Sequence, residues 1–256
     1  MTLPPHFAAW FAARGWQPRP HQLAVLDAAA AGESVLLVAP TGGGKTLAGF
    51  LPSLVQLATD PRPGLHTLYV SPLKALTTDI ARNLMPLVQD LQLPVAVETR
   101  TGDTPANRRA RQRESPPHIL LTTPESLAVL LSQPHAAAMF GGLATVVMDE
   151  VHALPGTKRG DQLALCVARL GALAPKLRRV GLSATVAHPD AIQAYVGAAR
   201  RIDVADGTPP DLSIMLPEGE LSWAGHMGAE AAPQVMARIR AAGMTIVFVT
   251  PVHRPS

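Results

Sequence analysis

The 256 residues are 47% apolar and 16% charged, with a formal net charge of +3. That balance supports a substantial core and lies far from the polar, highly charged composition of disordered chains. The single cysteine excludes a disulfide framework, no apolar run is long enough to span a bilayer, and the opening M-T-L-P-P-H-F-A-A-W lacks the basic-then-apolar order of a secretory signal. In chain order, helix is expected over 21–31, strand over 34–39 (S-V-L-L-V-A) and helix over 45–58. Strands follow at 66–71 (H-T-L-Y-V-S) and 95–99 (V-A-V-E-T), before helices at 74–90 and 104–113. The strands 118–122 (H-I-L-L-T), 144–149 (A-T-V-V-M-D) and 179–184 (R-V-G-L-S-A) precede helices at 124–133, 161–173 and 189–198.

Most of these apolar runs are continuous rather than alternating, as suits strands buried on both faces of a parallel sheet. The repeated strand-then-helix order predicts an α/β fold with a doubly wound, mainly parallel sheet, whose ligands sit at the carboxyl ends of its strands. From about 206 the texture turns to Pro- and Gly-rich linker, then a helix ending at Gly243 and a strand over 244–250. The expected division is 1–205 as the main domain, 206–243 as linker and 244–256 as the opening strand of another unit. With P-V-H-R-P-S directly after that strand, the end reads as cut off.

Residues 39–46, A-P-T-G-G-G-K-T, follow a buried strand directly. A glycine-rich turn with a surface lysine is one reading; a phosphate cradle is the other. A loop leading into a helix near Lys45 directs successive backbone N–H groups into one concavity beside the positive end of the helix dipole. Glycine alone lets that backbone approach phosphate oxygens. The cradle would comprise Thr41, Gly42, Gly43 and Gly44, with Lys45 meeting the β- and γ-phosphates of ATP and Thr46 supplying a hydroxyl to Mg²⁺. Ala39 stands where the generic pattern has glycine.

Such a site needs carboxylates at the end of another buried strand, and V-V-M-D-E-V-H (146–152) supplies them. Asp149 would hold Mg²⁺ through its water shell and Glu150 would polarise the attacking water. His152 is better placed as a donor linking the acidic loop to a neighbouring strand end than as a metal ligand. The nine histidines show no metal-ligand spacing. Cys166, in L-A-L-C-V-A, reads as a buried reduced thiol, which fits a cytoplasmic protein with no membrane association.

At these residues the chain resembles the DExH branch of superfamily 2 helicases. W-Q-P-R-P-H-Q (16–22) resembles the adenine-reading glutamine motif, with Gln22 in the reading position, and S-P-L-K-A-L (71–76) the first nucleic-acid motif. T-R-T-G-D-T-P (99–105) and L-T-T-P-E-S-L (121–127) resemble the next two, D-E-V-H (149–152) the acidic box, and S-A-T (183–185) the coupling motif. The spellings S-P-L-K-A-L, E-T-R-T-G-D-T, T-T-P-E-S-L and T-K-R-G-D are similar to those of the Lhr-like (large helicase-related) group. F-A-A-W-F-A-A-R-G-W-Q-P-R-P-H-Q (7–22) is most like its ligase-associated DNA-damage-response members. The resemblance implies a RecA-like P-loop NTPase domain, ATP and Mg²⁺ as cofactors, and 3′-to-5′ translocation on single-stranded or partly duplex nucleic acid, DNA favoured, in DNA repair. It also implies a second RecA-like domain and a winged-helix domain as partners of this one. An RNA helicase, a restriction-type translocase and a non-catalytic nucleotide- and nucleic-acid-binding fragment stand as alternatives.

The resemblance places nucleic acid against Pro72 and Lys74, Thr101, Gly102 and Asp103, Thr123 and Pro124, and Lys158 and Arg159. Turn amides and helix N-termini there would meet phosphates rather than bases. The run R-R-A-R-Q-R (108–113), with Arg100, is either a solvated helix face or part of that surface. Ser183 and Thr185 are expected to hydrogen-bond toward Asp149 or His152, coupling phosphate chemistry to strand movement. Without arginine fingers from a second domain, the chain alone is expected to hydrolyse ATP weakly and not to unwind. The orphan strand 244–250 is expected to invite aggregation.

Overall fold

The computed structural model describes residues 3–184, 188–204, 211–215 and 231–248. The chain divides into two units, Met1–Gly207 and Thr208–Ser256. In the first, α1 (Pro5–Ala13) and α2 (Pro20–Ala30) lead into β1 (Val35–Val38), followed by α3 (Lys45–Thr59), β2 (Thr67–Val70), α4 (Lys74–Asp90) and β3 (Val97–Arg100). Then come α5 (Ala106–Glu114), β4 (Ile119–Thr122), α6 (Pro124–Leu131), α7 (Ala136–Phe140), β5 (Thr145–Met148) and a 3-10 turn (Val151–Ala153). α8 (Lys158–Leu173), β6 (Arg178–Ser183), α9 (Pro189–Val196) and β7 (Arg200–Asp203) complete it. In the second unit, α10 (Ala232–Ala241) is the regular element among the described residues.

Seven strands form one sheet in the order β3-β4-β2-β5-β6-β1-β7, each pair parallel. Successive side chains of a strand point to opposite faces, so each central strand feeds two cores. Leu36, Leu68, Leu120 and Val146 pack beneath α6, α8 and α9 on one face. Leu37, Tyr69, Leu121, Val147 and Leu182 pack beneath α2, α3 and α4 on the other. Burial on both faces accounts for the continuous apolar runs. The order also divides the carboxyl edge: β1, β6 and β5 lie side by side, and β2, β4 and β3 continue the sheet beyond them.

Three elements of the first unit were not expected from sequence. α1 begins at proline and buries Phe7 and Phe11; its Ala-rich text carries little periodicity. β7 reads Arg-Arg-Ile-Asp, yet it pairs with β1 from Val35↔Arg200 to Val38↔Asp203. It is an edge strand, where charged side chains face water and discourage further pairing. α7 is a five-residue helix hidden in an Ala-rich loop. α8 starts at Lys158, three residues before the expected 161, because Thr157 caps it by accepting from the Gly160 N–H (3.0 Å). The strand expected over 244–250 is corrected: the described Met244–Phe248 form no strand, and Met244, Ile246, Val247 and Phe248 are exposed. A strand needs a neighbour for its N–H and C=O groups, and the described residues of the second unit contain none.

At the amino edge, buried His66 has its pKa lowered to about 4, chiefly by burial, with the charges of Arg62, Arg178 and His118 acting in the same direction. The unfolded chain binds this proton near pH 6.5 and the folded chain near 4, so stability present above 6.5 is lost as pH falls toward 4. The loss from this group alone is about 3 kcal/mol. Urea unfolding at stepped pH should show it, and a His66→Gln variant should flatten the profile between those limits.

Candidate functional site

The loop after β1 holds Gly42 and Gly44 at φ +76° and +77°, the left-handed region that side chains avoid. A Cβ on Gly43 would lie 2.8 Å from the Pro40 carbonyl oxygen. One on Gly44 would lie 2.9 Å from Gln22 Nε2. All three glycines are therefore required by geometry. α3 begins at Lys45, with Thr46 half-buried in its first turn. The buried Lys45 ammonium turns back into its own loop, donating to the carbonyls of Ala39 (2.8 Å) and Pro40 (3.0 Å). Thr41 lies exposed on the outer turn of the same loop. Gln22, also buried, accepts from the Arg19 N–H (2.9 Å) and donates to the Gly44 carbonyl at 3.4 Å, tying α2 to the glycine loop.

Asp149 follows β5, two strands from β1, and is buried. Burial is the largest influence on its carboxyl and holds the pKa above the ordinary carboxylate range. The Tyr69 hydroxyl, the Glu150 N–H and the charge of Lys45 pull it back down. The charge of Lys45, 104 positions away in sequence, is the smallest of these influences on Asp149. Tyr69 donates to Asp149 from β2, and its ring stacks on Phe50 of α3 (5.0 Å between centroids, 19°). Sequence reasoning passed over Tyr69, though a phenol within T-L-Y-V-S was the signal: a buried hydroxyl needs a partner.

Tyr69→Phe keeps the stacked ring and removes the donor that lowers the Asp149 pKa. The carboxyl must be ionised to hold a cation, so cation-dependent nucleotide binding in the variant should fail at a higher pH than in the parent. Titrating that binding from pH 8 to 5 reads the displacement, and superimposed profiles would refute it.

Glu150 is one of two non-glycine residues with positive φ among the described residues (+48°), a strained conformation that turns the chain sharply after the strand. His152 Nδ1 lies 3.4 Å from Glu150 Oε2 and accepts from the Ala184 N–H (3.3 Å). The link between the acidic box and the end of β6 is present, but His152 accepts in it where a donor was expected. Ser183 Oγ donates to the Ala184 carbonyl (2.8 Å) rather than toward Asp149 or His152. The main-chain amide of Ala184 makes the contact instead, which its apolar side chain could not reveal. Thr185 lies outside the described residues.

The carboxyl ends of β2, β3 and β4 are tied to one another. Lys74, at the start of α4, forms an ion pair with Asp103 after β3. Thr122 Oγ1 donates to the Arg100 carbonyl (2.7 Å), and Thr123 caps α6 by accepting from the Ser126 N–H (3.4 Å), just before Pro124. Arg159 donates to Glu125 (2.5 Å) and to the Pro72 carbonyl (2.7 Å), joining α8 to two other loops. Lys158 stands exposed beside it. In the Thr101–Gly102–Asp103 turn, the Thr101 N–H already bonds Thr104 Oγ1 (2.9 Å), so that amide is not open to phosphate as expected. The arginine run splits: Arg108 (3.7 Å) and Arg111 (2.6 Å) pair with Glu98, while Arg109 and Arg113 remain exposed on α5. Arg100 turns inward to Gln112 and the Arg109 carbonyl, both at 3.2 Å. Half of the run therefore serves the fold.

Residues 19–193 match the DEAD/DEAH box helicase family. The chain belongs to that family. Among curated relatives, it is 39% identical to the Lhr helicase/uracil glycosylase of Escherichia coli over 81% of this chain and 15% of that protein. It is 37% identical to the ATP-dependent helicase Lhr-Core of Methanocaldococcus jannaschii over 75% of this chain and 26% of that protein. The chain thus spans about 15–26% of the length of these relatives. Among solved structures, the Mycobacterium smegmatis helicase Lhr bound to ssDNA and AMP-PNP superposes with a TM-score of 0.78 at 35% identity. That match covers 92% of this chain and 32% of the other. The DUF1998 helicase MrfA superposes with a TM-score of 0.72 at 28% identity over 80% of this chain and 33% of that one. As a member of the DEAD/DEAH box helicase family, the chain has the RecA-like α/β fold of its neighbours. Among its described residues, no helix is long and apolar enough to cross a membrane.

Proposed function

We propose that this chain is the first RecA-like motor domain (1–205) of a 3′-to-5′ DNA helicase. It would bind Mg²⁺·ATP in the Gly42–Thr46 loop and the backbone of single-stranded DNA across the loops after β2, β3 and β4. The observation that carries this reading is the convergence of Lys45 and Asp149 at the carboxyl edge of one parallel sheet. Lys45 opens the helix after β1 and Asp149 follows β5 two strands away, beside a loop that only glycine can form. The residues fit the nucleotide. Lys45 already satisfies two carbonyl oxygens in the position of a phosphate clamp, Gly42–Gly44 leave the backbone bare, and Thr46 opens the helix. Mg²⁺, held by Thr46 and through water by Asp149, would neutralise charge on the β- and γ-phosphates. Glu150 would orient the attacking water, and Gln22 would face the adenine.

DNA is favoured as substrate because the Lhr structure that this chain resembles was determined with ssDNA, and a second MrfA structure, 27% identical, with DNA. Lys74 would exchange Asp103 for a phosphate, and Thr123, Pro124, Lys158 and Arg159 would line the same track. A second RecA-like domain of the whole protein would supply the arginine fingers, and a winged-helix domain would accompany it. The similarity over 7–22 further supports a ligase-associated DNA-repair role, and the free buried Cys166 fits a reducing cytoplasm. The test is nucleotide binding and steady-state turnover with and without a mixed-sequence oligodeoxynucleotide. Saturable Mg²⁺-dependent ATP binding with slow turnover is expected. A folded chain that fails to bind ATP refutes the reading, and helicase-level turnover by this chain alone refutes the need for a second domain.

A further inference from the structure

At the amino edge of the sheet, opposite the nucleotide loop, an open cleft of about 760 Å³ lies between the end of α3 and the loops entering β2, β5 and β6. Its charged lining is Arg62, Lys176 and Arg178 against one carboxylate, Asp60, with His66 beside them. Arg178 is buried, and uncharged acceptors hold its guanidinium: the Ala29 carbonyl (2.9 Å), Gln56 Oε1 (2.6 Å) and Thr145 Oγ1 (2.9 Å). These fix the fork and use three of its five N–H donors, yet leave its charge uncompensated. No carboxylate among the described residues pairs with it. Burial and the charge of Arg62 both push its pKa down. His66 feels the same positive surroundings and is neutral at pH 7. Removing a guanidinium from water without a counter-charge is costly, and the cost falls when an anion occupies the opening.

We propose that this cleft binds a small organic oxyanion, bearing phosphate or carboxylate groups, with Arg178 at its floor and Arg62 and Lys176 at its rim. The volume is that of a small-molecule site, and the apolar walls from Val55 and Leu143 suit an organic rather than a bare inorganic ion. Three acceptors hold the guanidinium in place and occupy both Nη2 hydrogens, so an oxyanion would meet the remaining single N–H groups and the uncompensated charge rather than a two-pronged fork. The cleft lies at the opposite edge of the sheet from the phosphate cradle, so the two can be followed separately.

Pyrophosphate and citrate, titrated separately into the ¹⁵N-labelled chain, test this through the amide signals of Gly141 and Gly142, which line the cleft. Signals of Gly42–Gly44 report the nucleotide loop in the same spectra. The expected result is a saturable shift at Gly141 and Gly142 with at least one probe. Affinity should fall by about tenfold in the Arg62→Glu/Lys176→Glu variant, whose exposed substitutions leave the unfolding midpoint in place. Response to pyrophosphate alone assigns phosphate chemistry; response to citrate alone assigns carboxylate chemistry. No saturable shift with either, or unchanged affinity in the double variant, overturns the proposal. Arg178→Ala is unsuitable as the primary variant because its three acceptors would be left unpaired in the core.

Discussion

Lys45→Ala is expected to weaken Mg²⁺·ATP binding by roughly 10- to 150-fold, equivalent to the roughly 1.5–3 kcal/mol of a charge-assisted hydrogen bond. Turnover measured with the complete motor should fall by at least about a hundredfold, since the ammonium also faces charge that develops during phosphoryl transfer. The fold should survive. The lysine's contacts are to the Ala39 and Pro40 carbonyls of its own loop, so the change in stability should stay within about 1–3 kcal/mol. Equilibrium nucleotide titration beside a urea melt separates the two effects. A variant that loses stability and binding together would make Lys45 a structural residue rather than a phosphate ligand.

Gly160→Ala is expected to produce the largest stability loss of any small substitution near the site. A Cβ at that position would stand 1.9 Å from the Leu154 carbonyl oxygen and 2.6 Å from its carbon, both backbone atoms that cannot swing aside. The same carbonyl accepts from Thr157 Oγ1 (2.7 Å), while the Gly160 carbonyl accepts from Tyr195 Oη (2.7 Å). Relief would require moving the turn after the acidic box away from α8. The expected cost is about 3 kcal/mol or more, the upper end of overpacking. Gly171→Ala, on the same helix, is the control. Its Cβ would meet only the tip of Arg179 at 3.4 Å, so the better helix former should stabilise by up to about 1 kcal/mol. Urea midpoints of the two variants should move in opposite directions, and equal shifts would contradict the packing argument.

That glycine illustrates what the text of the chain reveals and what it hides. T-K-R-G-D was readable as a motif, but its glycine is dictated by a carbonyl six residues upstream, a relation that only the folded turn creates. The five inner strands were legible because burial on both faces leaves uninterrupted apolar runs, while β3, half-buried at the other edge, was read from V-A-V-E-T. β7 was not, since an edge strand with two arginines carries no apolar signal. The glycine loop and the acidic box announced themselves by residue type. Tyr69, which anchors Asp149, was hidden in an ordinary strand, and the Ala184 amide that reaches His152 belongs to the backbone, which sequence does not describe. Among the nucleic-acid motifs, the residues were visible but their mutual pairing was not. Glu98, Asp103 and Glu125 already occupy Arg108, Arg111, Lys74 and Arg159, so any phosphate must compete with carboxylates the fold supplies.

Anomalous diffraction from Mn²⁺ in crystals grown with AMP-PNP would probe the shared cation most directly. The account predicts one metal peak touching the Thr46 hydroxyl and a nucleotide oxygen, with Asp149 a single water away and Lys45 released from the Ala39 and Pro40 carbonyls onto phosphate. Nucleotide bound with its metal elsewhere, or Lys45 still folded onto those carbonyls, would contradict it.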